Sequence, residues 1–142
     1  MVGPRDYARV YRENAILTAS PGQLVLMLFD GAARSMAIAQ SAFDRPKSDI
    51  RRLEVINREL LKAQAIFVEL RGTLNHEAGG EFAKTMERLY SYYIRRLKQA
   101  NLRKQREPLS EVEQLFKVVR DAWAEMLKTH DVEEASSMLV AK

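Results

Sequence analysis

The sequence predicts an all-α fold: an antiparallel up-down four-helix bundle with a short N-terminal segment packed on it. Three observations carry this expectation. Glycine (6) and proline (4) are scarce among the 142 residues, and helix-forming residues dominate. Four stretches repeat their apolar residues at helical spacing. The breaks between them hold start and stop signals, at Ser20-Pro21, Pro46, Gly79-Gly80 and Pro108. Four amphipathic helices on short connections bury their apolar faces most simply as an up-down bundle. A chain of this length builds one such domain. The expected organisation is a single bundle domain over 1–128, with 1–19 as a mobile N-terminal cap, and a tail over 129–142.

The N-terminal segment is mixed in composition, and its notable residues are Tyr7 and Tyr11, one helical turn apart. They either anchor the segment on the bundle or cover a binding surface that a partner uncovers. Nothing in residues 1–11 looks like a secretory signal.

The first helix is expected over Pro21 to Phe43. Ser20 can accept from the free N–H groups of the first turn. Pro21 sits where its missing N–H costs nothing, and Gln23 can close a capping box. Leu24 to Phe29 form an unbroken apolar run, so this helix is expected to be enclosed on most sides, as the post of the bundle. Asp44 to Ser48 breaks it, with Asp44 or Ser48 as the next cap.

The second helix is expected from about Asp49 to Thr73. Leu53, Leu60, Phe67 and Leu74 recur every seven residues, with Ile56, Ala63 and Leu70 between them, the pattern of a seam facing the core. A second line, Leu61, Ala65, Val68 and Gly72, lies roughly 140° round the helix at about 100° per residue. Val55 and Ile66 sit on the other flank of the seam. So much apolar surface means either several neighbours or an exposed binding groove.

Asn75 to Gly80 reads as a loop, with the glycine pair supplying a tight reversal. His76 beside Glu77 offers no metal set, because no second histidine or carboxylate stands at ligand spacing. The third helix is expected from Glu81 to Leu102. Phe82, Met86, Leu89, Tyr93, Leu97 and Ala100 form its core face, and Tyr90, Ile94 and Asn101 lie beside it. Of Tyr90, Tyr92 and Tyr93, at least one must reach the surface. The fourth helix is expected to begin after Pro108 with a Ser110/Glu113 capping box. It continues through Val112, Leu115, Phe116, Val119, Ala122, Trp123 and Met126, with Trp123 as a core anchor.

The chemistry of enzymes is missing. There is no cysteine, no glycine-rich phosphate loop, no nucleophile elbow and no metal-binding histidine pair. No cofactor is implied, and the chain reads as a binding module without a membrane-spanning segment. The net charge of +4 and the cluster Arg95, Arg96, Lys98, Arg103, Lys104 and Arg106 allow a second reading. In that reading the chain is a basic helical-bundle adaptor for nucleic acid or an acidic protein. Cations near a helix C-terminus also have a purely electrostatic explanation, and no nucleic-acid motif accompanies these.

The pieces singled out resemble, in order and spacing, the FliS family of flagellar secretion chaperones. The resemblance runs through Tyr11-Arg12-Glu13-Asn14, Leu17 to Pro21, Gln23-Leu24 and Met27 to Ala32. It resumes at Lys62-Ala63-Gln64, Glu69-Leu70, Glu77 to Glu81, Leu89 to Tyr92, Leu97, Ala100-Asn101 and Ala122-Trp123. Phe29 stands where tyrosine is common in the family, Asn75 where aspartate is, and Met86 where leucine is. The resemblance implies a cytoplasmic, ATP-independent export chaperone. Its client would be the disordered C-terminal segment of flagellin, kept from early polymerisation and competent for flagellar type III secretion. Other flagellar export or regulatory proteins are further candidate partners, and neither nucleic acid nor membrane insertion is expected. Combined with the residue pattern, it nominates Tyr7 and Tyr11 as a cover, and Val55, Leu61, Ala65, Val68, Tyr90 and Ile94 as client contacts.

Overall fold

The computed structural model describes residues 20–129. Within them the chain forms α1 (Pro21–Phe43), α2 (Arg52–Gly72), α3 (His76–Arg103) and α4 (Arg106–Met126). Each helix packs on its two ring neighbours, α1 on α2 and α4, α3 on α2 and α4. Contacts between opposite ends set the direction. Trp123 Nε1, near the end of α4, donates to the Gly22 carbonyl in the first turn of α1 at 2.9 Å. Gln40 near the end of α1 donates to Ser110 near the start of α4. Asn101 near the end of α3 donates to Asn57 near the start of α2. The bundle is therefore antiparallel throughout.

The start of α1 follows the sequence signal. Ser20 Oγ accepts from the Gln23 N–H at 3.2 Å, and Gln23 Oε1 accepts from the Ser20 N–H at 3.0 Å. This reciprocal pair satisfies two backbone donors that the first turn leaves open. The expectation that α1 is an enclosed post needs correction. Val25 and Phe29 are buried, but Leu24 and Ile38 remain open to solvent. A four-membered ring gives each helix only two close neighbours, so an outer face survives even on the most apolar helix.

Other boundaries shift for local reasons. α2 begins at Arg52, not Asp49, because Asp49 is used one step earlier: its carboxylate accepts from the Arg51 N–H at 2.9 Å in the preceding turn. Leu53 falls in that first turn and is exposed, whereas the rest of the expected seam, Ile56 to Leu74, is buried. The segment read as a loop is mostly helix. Asn75 accepts from the Ala78 N–H at 3.1 Å and caps a turn that runs into the rest of α3 across a kink at Gly80 (φ 50, ψ −123). α4 begins at Arg106, two residues ahead of Pro108. Proline is accommodated because the first turn has no intrahelical N–H partners to lose. Ser110 consequently lies inside the helix, and its hydroxyl accepts from Gln40 Nε2 at 2.6 Å instead of capping.

One aromatic ring from each helix meets at the centre. Phe67 of α2 contacts Phe116 of α4 edge-on at 5.0 Å between centroids, and Tyr93 of α3 at 5.2 Å. Phe29 of α1 meets Phe116 edge-on at 5.2 Å. Edge-to-face pairs contribute about 0.5–1.5 kcal/mol each beyond area burial. This hub carries the packing at Phe29 without the hydroxyl that a tyrosine would add.

Candidate binding surface

The second apolar line of α2 is an open surface. Leu61 is 51% exposed and Val68 45%, and Ala65 and Gly72 between and beyond them are exposed as well. The line turns outward because the opposite side of α2, with Ile56, Leu60, Ala63 and Phe67, is consumed by the core. α1 extends this apolar strip. Leu24, Gly31 and Ile38 recur every seven residues on its outer side. Gly31 brings the two helices close, since a Cβ there would stand 3.4 Å from Ile66 Cδ1. Between them runs a crease of about 440 Å³ lined by Gly31, Arg34, Ser35, Ile38, Glu59, Lys62, Ala65 and Ile66.

Charge in this crease is organised by Glu59, whose carboxylate is buried beneath two cations. Arg58 Nε lies 2.9 Å away and Lys62 Nζ 3.3 Å, with both cationic side chains largely in solvent. Burial pushes the Glu59 carboxyl up, but the hydrogen bonds from Arg58 and Lys62 outweigh it and hold the group below its ordinary range. Arg34 adds a further positive charge. The crease therefore offers apolar side chains along its length and net positive charge at its rim.

The nominated contacts separate into two sets. Leu61, Ala65 and Val68 share the open face. Val55 and Tyr90 are buried in the core and present no surface. Tyr90 stacks on Phe67 at 6.2 Å, and burial drives its hydroxyl well above the usual tyrosine range. Ile94 is half-buried and packs against the core. Tyr7 and Tyr11 lie outside the described residues. The outward tyrosine is Tyr92, whose hydroxyl donates to Glu111 at 2.7 Å while Arg96 donates to the other oxygen at 2.6 Å.

Four of the six cations in the basic cluster are engaged within the bundle, while Lys98 and Arg103 stand exposed. Arg96 is held by Glu111 and Gln99, Arg106 by Asp44 and the Gln40 carbonyl, and Lys104 by Asn101. Arg95 lies over the Tyr92 ring. Such cations are poorly placed to follow a phosphate backbone. His76 pairs with Glu87 at 3.4 Å, and among the described residues no group of three potential metal ligands converges.

A further apolar recess was not foreseen. Between α3 and α4, Phe82, Met86, Val118, Val119, Trp123 and Met126 line a groove of about 310 Å³ with Phe29 at its floor. Val118 is 70% exposed and Phe82 39%. Helical spacing assigns Phe82 to the core face of α3 and Val119 and Trp123 to the apolar face of α4. What it misses is that the kink at Gly80 places Phe82 in the first turn after a bend, where neighbours cover it only partly.

Residues 3–130 match the family model described as flagellar protein FliS. The flagellar secretion chaperone FliS of Salmonella typhimurium is 38% identical over 127 residues, spanning 87% of this chain and 89% of that protein. The FliS chaperone of Bacillus subtilis is 37% identical over 119 residues, 84% of each chain. That of Escherichia coli is 38% identical over 126 residues, 88% of this chain and 89% of the relative.

Proposed function

The chain belongs to the FliS family of flagellar proteins, and from that premise we propose that it is an export chaperone for flagellin, holding the disordered C-terminal segment of that client in the cytoplasm. It is not an enzyme, since the relatives are named as chaperones. In this reading, binding delays polymerisation and keeps the subunit ready for the flagellar type III secretion apparatus. Among the described residues no helix is long and apolar enough to cross a membrane.

The observation that carries the reading is the exposed line Leu61–Ala65–Val68 beside the α1/α2 crease. A disordered segment that folds on contact needs apolar anchors spaced along a groove. From Leu61 to Gly72 the line runs about 16 Å at the usual helical rise of about 1.5 Å per residue, room for three turns of an amphipathic client helix. Lys62 and Arg34 at the rim favour acidic client residues beside those anchors. Tyr7 and Tyr11 enter this reading as a cover over the same face in the free chain.

Calorimetric titration with the C-terminal segment of the organism's own flagellin tests it. Saturable binding is expected, and no detectable binding defeats the proposal. Ala65→Asp places an unpaired charge under the client and should weaken binding by about 100-fold or more. Because Ala65 is exposed, thermal unfolding should move little. Unchanged affinity would remove this face from the client site.

A further inference from the structure

We propose that the tail segment 130–142 folds back and seats Met138-Leu139-Val140 in the apolar groove between α3 and α4. The groove is open to solvent and faced by almost nothing but carbon: Val118 and Phe82 stand exposed on its walls, and Met126 is among the residues that line it. Met126 is also the last residue of α4. The chain leaves the helix pinned to that residue. The Thr129 N–H donates to the Met126 carbonyl at 3.0 Å, and the Thr129 hydroxyl donates to the same oxygen at 2.8 Å. The tail therefore starts about one helical turn beyond a residue that lines the groove.

Composition and length select the tail as occupant. From His130 to Ser137 it is mostly polar, with Asp131, Glu133 and Glu134, and then comes a run of three large apolar residues. The ten steps from Thr129 to Leu139 can span up to about 33 Å. The groove wall from Met126 back to Val118 covers about 12 Å of helix. The triplet can thus turn at the polar stretch and reach any part of the recess with slack. A volume of about 310 Å³ suits a few aliphatic side chains. The family match ends at residue 130, so the apolar triplet lies beyond the matched residues.

The absence of native cysteine makes a cross-linking test free of background. Full-length chains carry Val118→Cys with Leu139→Cys, or one of two comparison pairs: Leu61→Cys with Leu139→Cys, and Val118→Cys with Tyr11→Cys. Under mild oxidation the first pair should form an intramolecular disulfide at least about tenfold faster than the others, because docking raises the local concentration of one thiol at the other. Equal rates for the two Leu139→Cys pairs overturn the proposal. Faster closure with Tyr11→Cys assigns the groove to the N-terminal segment, and covalent dimers assign it to a second copy; either outcome overturns it. On the unsubstituted chain, stopping translation after Thr129 should speed amide exchange severalfold around Phe82–Met86. Unchanged exchange there also defeats the idea.

Discussion

Tyr92, Glu111 and Arg96 join α3 to α4 through one carboxylate, and that carboxylate sets a dependence on acidity. The Tyr92 hydroxyl and then Arg96 hold the Glu111 carboxyl below its ordinary value of 4.5. Glu59, hydrogen-bonded by Arg58 and Lys62, is lowered as well despite its burial. A carboxyl depressed in the folded state contributes stability that is complete above its unfolded value and is lost as pH falls through the folded value. Glu113 acts in the opposite sense. Burial raises it, so its contribution is present below the ordinary value and fades as pH rises through the folded one. Asp121 is lowered too, by hydrogen bonds from Lys117 and Arg120. With three lowered carboxyls against one raised, the denaturant midpoint should drop as pH goes from about 5 to about 3. Glu111→Gln should lower stability at neutral pH and flatten part of that slope, measured by denaturant titration at several pH values. An unaltered slope would assign the acid sensitivity to other carboxylates. The partnership itself was only half legible. Three tyrosines in four positions require one to face outward, but periodicity cannot say which, nor that its hydroxyl meets a carboxylate on another helix.

At the scale of elements, two glycines separate backbone demand from space. Gly80 adopts φ 50, ψ −123, while a Cβ there would meet nothing within 4 Å. Any cost of Gly80→Ala is therefore conformational, and about 1–3 kcal/mol is expected. Gly72 lacks a positive φ and also has open space around its missing Cβ. Gly72→Ala should stabilise by up to about 1 kcal/mol through reduced freedom of the unfolded chain. Thermal denaturation of the two variants should show opposite shifts, and a common sign would contradict this account of the kink. The same contrast explains what was legible in the elements. Ser20-Pro21-Gly22-Gln23 specifies its helix start through bonds within four residues, so the sequence suffices. Gly79-Gly80 marks a change of direction, but whether the turn before it is helical depends on Asn75 as a cap. Ser110 with Glu113 matches a capping box by spacing alone, yet Arg106 and Glu107 extend the helix ahead of it, and the serine finds Gln40 across the bundle.

Across the whole molecule, the four-ring hub and the outer faces divide the apolar residues between stability and binding. The outward line Leu61–Ala65–Val68 was legible because it lies far round α2 from the seam. Val55 and Tyr90 were not separable from it, since an angle on one helix does not report how far the next one wraps. Tyr90 is closed off by Phe67, a residue 23 positions away in sequence. The α3/α4 groove was illegible for the converse reason: Phe82, Val119 and Trp123 have core periodicity, and spacing on one helix does not report how far the next one covers them. The contact between Trp123 and the Gly22 carbonyl joins the first turn of the bundle to its last. Because that indole is the sole tryptophan of the chain, the closure carries its own optical signal. A client lying along α2 should leave the emission maximum in place. One that parts α1 from α4 should shift it to the red as the ring meets water. The molecule thus distinguishes, without any label, between a ligand that rests on the bundle and one that opens it.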